Sequence, residues 1–184
     1  YLMKRNFDIC GYDYKSLVYF ENIIKKLKIP KKGKIVQLGS NYCVTLEKLC
    51  NFYGNKRCIA YDLINPLNHP NVIIRDCNDL GKDKKKDYYD IAYCDIDVSN
   101  LDTSPQLRID SIKWASELIV KGGYILTNNT WAFKKHSNFD VEKFMIQKNF
   151  KIIQLDKYKN RNWAKTFNKN TVWNTKSAML CKKL

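Results

Sequence analysis

The stretch IVQLGSNYC, residues 35–43, decides the fold: a short apolar run carrying one amide, a single glycine, and then a polar turn. Such a run reads as a buried strand. The glycine allows a backbone conformation that other residues adopt only with strain. Two outcomes are open from these residues alone. GSNYC is either the beginning of a helix capped by Ser40 or Asn41, or a loop that cradles a nucleotide-like ligand. The chain beyond it separates the two.

VTLEKLCNFYG (residues 44–54) has helical spacing and is closed by Gly54, and RCIAYD (57–62) reads as a second strand. NVIIRD (71–76), introduced by Pro70, is a third, and YDIAYCDI (89–96) is a fourth. A helix over Gln106–Leu118 leads to GGYILTNN (122–129), a fifth strand opened by paired glycines. Short apolar strands alternating with helical patterns imply a parallel sheet with helices on both faces. After a helix over Val141–Lys148, FKIIQL (150–155) and SAMLCKK (177–183) read as an antiparallel hairpin at the sheet edge. Upstream, Leu17, Phe20, Ile23, Ile24 and Leu27 recur at helical spacing before Pro30. Residues 1–32 are therefore expected to be a helical extension of a single domain spanning 1–184.

A chain of 184 residues with 45% hydrophobic and 13% aromatic content is long and apolar enough to bury one core. No apolar run approaches the roughly 20 residues that cross a bilayer, and YLMKRNFDIC does not read as a secretory leader. Cysteines fall at positions 10, 43, 50, 58, 77, 94 and 181, an odd number without a CxxC pair. They are expected to be reduced, buried thiols of a cytoplasmic protein. His69 and His136 do not complete a zinc cluster with them. The net charge of +15 invites a polyanionic partner such as RNA. It is made of 28 lysines and only five arginines beside 19 asparagines, the signature of AT-rich coding. Arginine, the better bidentate reader of phosphate, is scarce.

In an open α/β sheet the ligand sits beyond the carboxyl ends of the strands. The residues at those ends are Gly39, Ser40 and Asn41 after the first strand, and Asp62 after the second. Asp76 and Cys77 follow the third, Asp95 and Asp97 the fourth, and Asn128 and Asn129 the fifth. An acidic residue after strand two suits two ribose hydroxyls, and one after strand three suits an adenine amine. In this order and spacing, residues 33–184 resemble the class I S-adenosylmethionine-dependent methyltransferases. The resemblance implies a seven-stranded, mostly parallel sheet with helices on both faces and an antiparallel C-terminal hairpin. It also implies S-adenosylmethionine as cofactor, held by Gln37, Gly39, Ser40, Asn41, Asp62, Asp76, Cys77 and Asp95. Two features depart from the family: Gln37 stands at a position commonly acidic, and Gly39 is the clearest motif glycine retained.

The fourth-strand residues CDIDVSN lack the prolines of enzymes that methylate base amines, so the acceptor is expected to be an oxygen. DIAYCDID and GGYILTNNTW look like the metal-dependent catechol-type O-methyltransferases, which would make Asp95, Asn128 and Asn129 metal ligands. Asn128 stands where that family has a carboxylate and Val98 where it has a lysine, so a divalent metal is disfavoured. Asp95 is expected to orient or deprotonate the acceptor, with Asp97 secondary, and a small-molecule acceptor is favoured. The alternative is an RNA ribose 2′-O-methyltransferase, with which Asp95 and Asn100 are compatible. The basic, aromatic-laced KYKNRNWAKTFNKN (157–170) would then grip RNA, with Trp163 and Phe167 stacking on bases, or else cover a small acceptor as a lid. A third possibility is a catalytically silent module that binds the cofactor or a protein partner.

Overall fold

The computed structural model of the chain describes residues 27, 29–40, 43–76, 86–94, 105–128, 137–157 and 177–184. The helix expected over Tyr14–Leu27 lies outside these residues except at its last position, as do Cys10 and most of the expected extension. Seven strands form one sheet: β1 (Ile35–Leu38), β2 (Cys58–Asp62), β3 (Val72–Ile74), β4 (Tyr89–Cys94), β5 (Ile119–Asn128), β6 (Phe150–Lys157) and β7 (Ser177–Lys183). Their order is β3-β2-β1-β4-β5-β7-β6. β1 pairs in parallel with both β2 and β4, while β7 runs antiparallel between β5 and β6. The expected α/β architecture and its C-terminal hairpin are both present.

Among the described residues three α-helices cover the sheet. α1 (Val44–Tyr53) lies on one face, and α2 (Pro105–Leu118) and α3 (Val141–Gln147) on the other. β1 has no exposed apolar side chain: Val36 and Leu38 face α2 and α3, and Ile35 faces α1. Leu27 and Ile29 pack against the α1 side. The burial of both faces explains why these strands read as continuous apolar runs rather than alternating ones. α3 is capped by Asp140, whose carboxylate accepts from the Lys143 N–H at 2.9 Å. At the amino end of the sheet, Arg57 ties the chain down, donating from Nε to the Gly33 carbonyl at 2.6 Å and from Nη2 to the Pro30 carbonyl at 2.9 Å.

One boundary differs from expectation by more than two residues. β5 begins at Ile119, three residues before the paired glycines. Tyr89 is in register with Ile119 and Ile91 with Tyr124, so the extra residues of β5 bulge between these pairs. Gly122 takes a φ of 80° there, and Gly123 packs against β4 backbone. The glycines do not open the strand; they let it kink without leaving the sheet. α1 begins at Val44 behind Cys43, which is left-handed (φ 61°) and makes no side-chain capping bond. Ser40 is therefore not the capping residue, and Asn41 lies outside the described residues.

Cys43, Cys50, Cys58, Cys94 and Cys181 are buried, as expected of them, and Cys77, like Cys10, lies outside the described residues. Burial pushes the Cys58 and Cys181 thiols up to about 12. Among the described residues no helix is long and apolar enough to cross a membrane.

The β5 bulge gives a direct test. A Cβ at Gly123 would stand 2.8 Å from the Asp90 carbonyl oxygen and 2.8 Å from Ile119 Cγ2, whereas one at Gly122 would meet nothing within 4 Å. Gly122→Ala should cost about 1 kcal/mol through its dihedral angle alone. Gly123→Ala should cost more, on the order of 1–3 kcal/mol, through overpacking against backbone. Urea unfolding of both variants checks the ranking, and a reversed order would refute this account of the bulge.

Candidate functional site

The chain leaves β1 for β2 on one side and later returns to β4 on the other, so the sheet order reverses at β1. Ligands bind open α/β sheets at the carboxyl ends around such a point. At that place the loop after β1 turns sharply. Gly39 has a φ of 83°, and its N–H donates to the Tyr61 carbonyl at 2.9 Å. The next residue, Ser40, reaches the end of β2. Its backbone N–H donates to Asp62 Oδ2 at 2.5 Å, and its hydroxyl donates to the same oxygen at 3.2 Å. Ser40 is buried. The Cys43 N–H then closes the turn on the Ser40 carbonyl at 2.7 Å.

Asp62 also accepts from the Ile64 N–H at 3.3 Å. A carboxylate has about four lone-pair sites, and donors from two neighbouring loops fix its orientation. The Arg75 N–H donates to the Asp62 carbonyl at 2.8 Å. That bond carries the β2–β3 pairing one step past Ile74 and brings Asp76 to the same edge.

Gln37 lies beneath this loop, only 1% exposed, in register with Ala60 of β2 and Tyr93 of β4. It is on the α1 face, as Ile35 is. Its Nε2 donates to the Gly39 carbonyl at 2.7 Å, and its Oε1 has no hydrogen-bond partner among the described residues. The amide orientation is fixed chemically: reversing it would set oxygen against oxygen at Gly39. A buried, unsatisfied acceptor costs about 1–3 kcal/mol. Its place directly under a glycine turn at the switch point makes it a fitting partner for a donor on a bound molecule. A nucleoside with an amine-bearing tail fits the donor and acceptor set of Gln37, Ser40, Asp62 and Asp76.

Of the residues singled out in the sequence, the structure brings Gln37, Gly39, Ser40 and Asp62 together and sets Asp76 at the same edge. Asn41, Cys77, Asp95, Asp97, Val98, Asn100 and Asn129 lie outside the described residues, as do Trp163 and Phe167. Asn128 ends β5, paired with Ala178. Cys94, the residue before Asp95, is in register with Leu38, the residue before Gly39. Among the described residues no three His, Cys, Asp or Glu side chains converge as a metal site. The sequence singled out Ser40 but not its use of the main chain, and it passed over the Ile64 N–H. Backbone donors leave no mark in residue type.

No protein-family model and no curated protein matches the sequence. Solved structures do match it in shape. A Clostridium thermocellum protein described as an rRNA methylase superposes with a TM-score of 0.64 at 16% identity, over 92% of this chain and 97% of that one. An S-adenosylmethionine-dependent methyltransferase from Archaeoglobus fulgidus gives 0.59 at 14% identity, over 96% of each chain. A Streptococcus mutans protein described as a methyltransferase, solved in complex with S-adenosylhomocysteine, gives 0.51 at 15% identity, over 92% and 95%. The chain has the fold of the class I S-adenosylmethionine-dependent methyltransferases.

The orphan acceptor predicts an asymmetry. Gln37→Met removes an unsatisfied oxygen and leaves the Gly39 carbonyl to find water. Without ligand it should change unfolding free energy by less than about 1 kcal/mol. The measurement is urea denaturation of the ligand-free protein. A loss above about 3 kcal/mol would mean that Gln37 serves the fold and not a ligand.

Proposed function

We propose that this chain binds S-adenosylmethionine at the carboxyl edge of β1 and β2 and transfers its methyl group to an oxygen of a small-molecule acceptor. The observation that carries the reading is the junction of Ser40 with Asp62. A left-handed glycine turn and an oriented carboxylate stand together where this fold presents its ligands. The match in fold to a protein solved with S-adenosylhomocysteine supports the choice of cofactor.

In this reading Asp62 would accept from the two ribose hydroxyls and Asp76 from the adenine amine. Gln37 Oε1 would accept from the amino group of the methionine part. Asn41 and Cys77 complete the cofactor set by their places in the sequence. The bound sulfonium would supply an electrophilic methyl group. The remaining task is to hold an acceptor oxygen in line with it at near-attack distance. Asp95, the first residue after β4, is assigned to orient that hydroxyl or take its proton, and Asp97 is assigned a supporting role. An oxygen acceptor follows from the absence of prolines in CDIDVSN, and independence from a metal follows from Asn128 in place of a carboxylate.

RNA is the second reading. It is favoured by nine basic residues against one acidic residue over 151–184, with Tyr158, Trp163 and Phe167 among them. The neighbour described as an rRNA methylase is consistent with it. The scarcity of arginine weighs the other way.

Two measurements test these assignments. Asp62→Ala should weaken S-adenosylhomocysteine binding by about 1.5–3 kcal/mol, the usual loss for hydrogen bonds to a charged group. Calorimetry that finds unchanged affinity in a folded variant would remove Asp62 from the site. For the acceptor, RNA affinity of wild type and Trp163→Ala should be compared at two salt concentrations. A small-molecule enzyme should bind RNA weakly, with a salt dependence that Trp163→Ala leaves alone. Tight binding at physiological salt that drops by about 1–3 kcal/mol on removing the indole would instead establish RNA as the acceptor. Cofactor binding without transfer to any acceptor pool would identify a silent module.

A further inference from the structure

Among the described residues charge is shared unevenly between the two ends of the sheet. β1, β2, β4 and β5 run in parallel, β6 runs with them, and the antiparallel β7 finishes where they start. At the carboxyl end, where the candidate site lies, Asp62, Asp76, Asp140 and Asp156 stand against Arg75 and Lys157. The amino end is basic. Lys31 and Lys32 precede β1, Lys56 precedes β2, Lys121 sits in the β5 bulge, and Lys148 and Lys151 flank the start of β6. All six are exposed, and none has an ion-pair partner among the described residues. The acidic groups of this end are already engaged. Asp90 accepts from the Lys34 N–H at 2.7 Å, Asp87 from Lys183 Nζ at 2.7 Å, and Glu117 stands 3.9 Å from Lys86.

The six lysines form a belt from β2 to β6, five strand spacings or about 24 Å wide. Two other cations at this end serve the fold. Arg57 is spent on the Gly33 and Pro30 carbonyls, and Lys183 on Asp87 and the Ile119 carbonyl. Large apolar side chains stand exposed among the lysines. Phe52 is in the last turn of α1, just before the turn that carries Lys56. Tyr88 precedes β4, and Ile146 is in the last turn of α3 beside Lys148. Like charges gathered at one end repel one another, and exposed apolar groups gain nothing from water. A partner with an anionic surface over an apolar interior relieves both. Lysines interspersed with exposed aromatic and aliphatic side chains are how a protein holds to a bilayer without spanning it.

We propose that the amino end of the sheet is a docking surface for an anionic lipid bilayer. The six lysines lie against the headgroups, and Phe52 and Ile146, on opposite faces of the sheet, enter the interface. Lysine suits this partner, because a compact charge on a flexible stem needs no fixed geometry in what it meets. Nucleic acid is the poorer occupant. The arginine at this end is locked onto carbonyls, and an aliphatic side chain such as Ile146 cannot stack on a base. Docking here leaves the carboxyl end on the far side of the molecule, open to an acceptor from solution. The proposal stands apart from the methyltransferase reading, since it uses neither Gln37 nor Asp62.

The full chain should be sedimented with vesicles of phosphatidylcholine mixed with phosphatidylserine, and with vesicles of phosphatidylcholine alone. It should bind the mixed vesicles at physiological salt and leave the neutral ones. Each lysine near an anionic surface adds about fivefold in affinity, so Lys31→Gln with Lys121→Gln should weaken binding by roughly 25-fold. Lys113→Gln with Lys143→Gln removes the same charge from exposed positions in the middle of α2 and at the far end of α3. That pair should change binding by less than about threefold, because charges beyond a screening length count for little. Phe52→Ser leaves the charge unchanged and should weaken binding by roughly tenfold. Absence of binding to the mixed vesicles, or equal binding to the neutral ones, would overturn the proposal. Equal losses from the two lysine pairs would reduce the effect to bulk charge and overturn it too, as would indifference to Phe52→Ser. Single-stranded RNA that strips the protein from the vesicles, through Lys31 and Lys121 more than Lys113 and Lys143, would give the surface to nucleic acid instead. Amide exchange of the wild type on mixed vesicles should slow at residues 31–34 and 55–57. Slowing confined to other residues would overturn the proposal, and this readout holds even where a variant folds poorly.

Discussion

Everything in this molecule follows from β1 having a parallel neighbour on each side. A strand so placed is buried on both faces, and a parallel pair cannot be joined by a tight hairpin. The chain must cross over, placing α1 on one face and α2 and α3 on the other. All the parallel strands then end at the same margin. Because Leu38 is in register with Tyr61, the N–H of Gly39 meets the Tyr61 carbonyl and the N–H of Ser40 meets the Asp62 carboxylate. The candidate site is thus a consequence of strand register. A one-residue slip of β1 would turn Gln37 to the opposite face and carry Ser40 away from Asp62.

That margin keeps features that serve the fold poorly. Gln37 buries an amide oxygen that has no partner among the described residues, in a strand whose other side chains are wholly apolar. Gly39 and Cys43, at the two ends of the turn, both have positive φ, and for a non-glycine residue such as Cys43 this costs about 1–2 kcal/mol. A strained turn above an unsatisfied buried acceptor, gathered at one place, is what a ligand-binding loop looks like when viewed through its energetics. The amino ends of the strands show the opposite. There Arg57 and Lys183 saturate carbonyls at 2.6–2.9 Å and hold the chain shut.

The sequence revealed those parts that rest on periodicity. IVQLG, RCIAYD and YDIAYCDI could be read as parallel strands because burial on both faces removes polar residues from them. The carboxylate that ends RCIAYD could be read because a charged residue at a strand end is conspicuous. Three things were not legible. The paired glycines looked like the opening of β5, yet they absorb a bulge against Asp90, since only a partner strand decides whether a glycine starts a strand or kinks it. The bond between Ser40 and Asp62 uses a main-chain donor, which any residue at that position supplies. NVIIRD reads as a strand, but nothing in it shows that the strand is marginal and its isoleucines exposed. An apolar run shows that a strand exists and says nothing about how many neighbours it has.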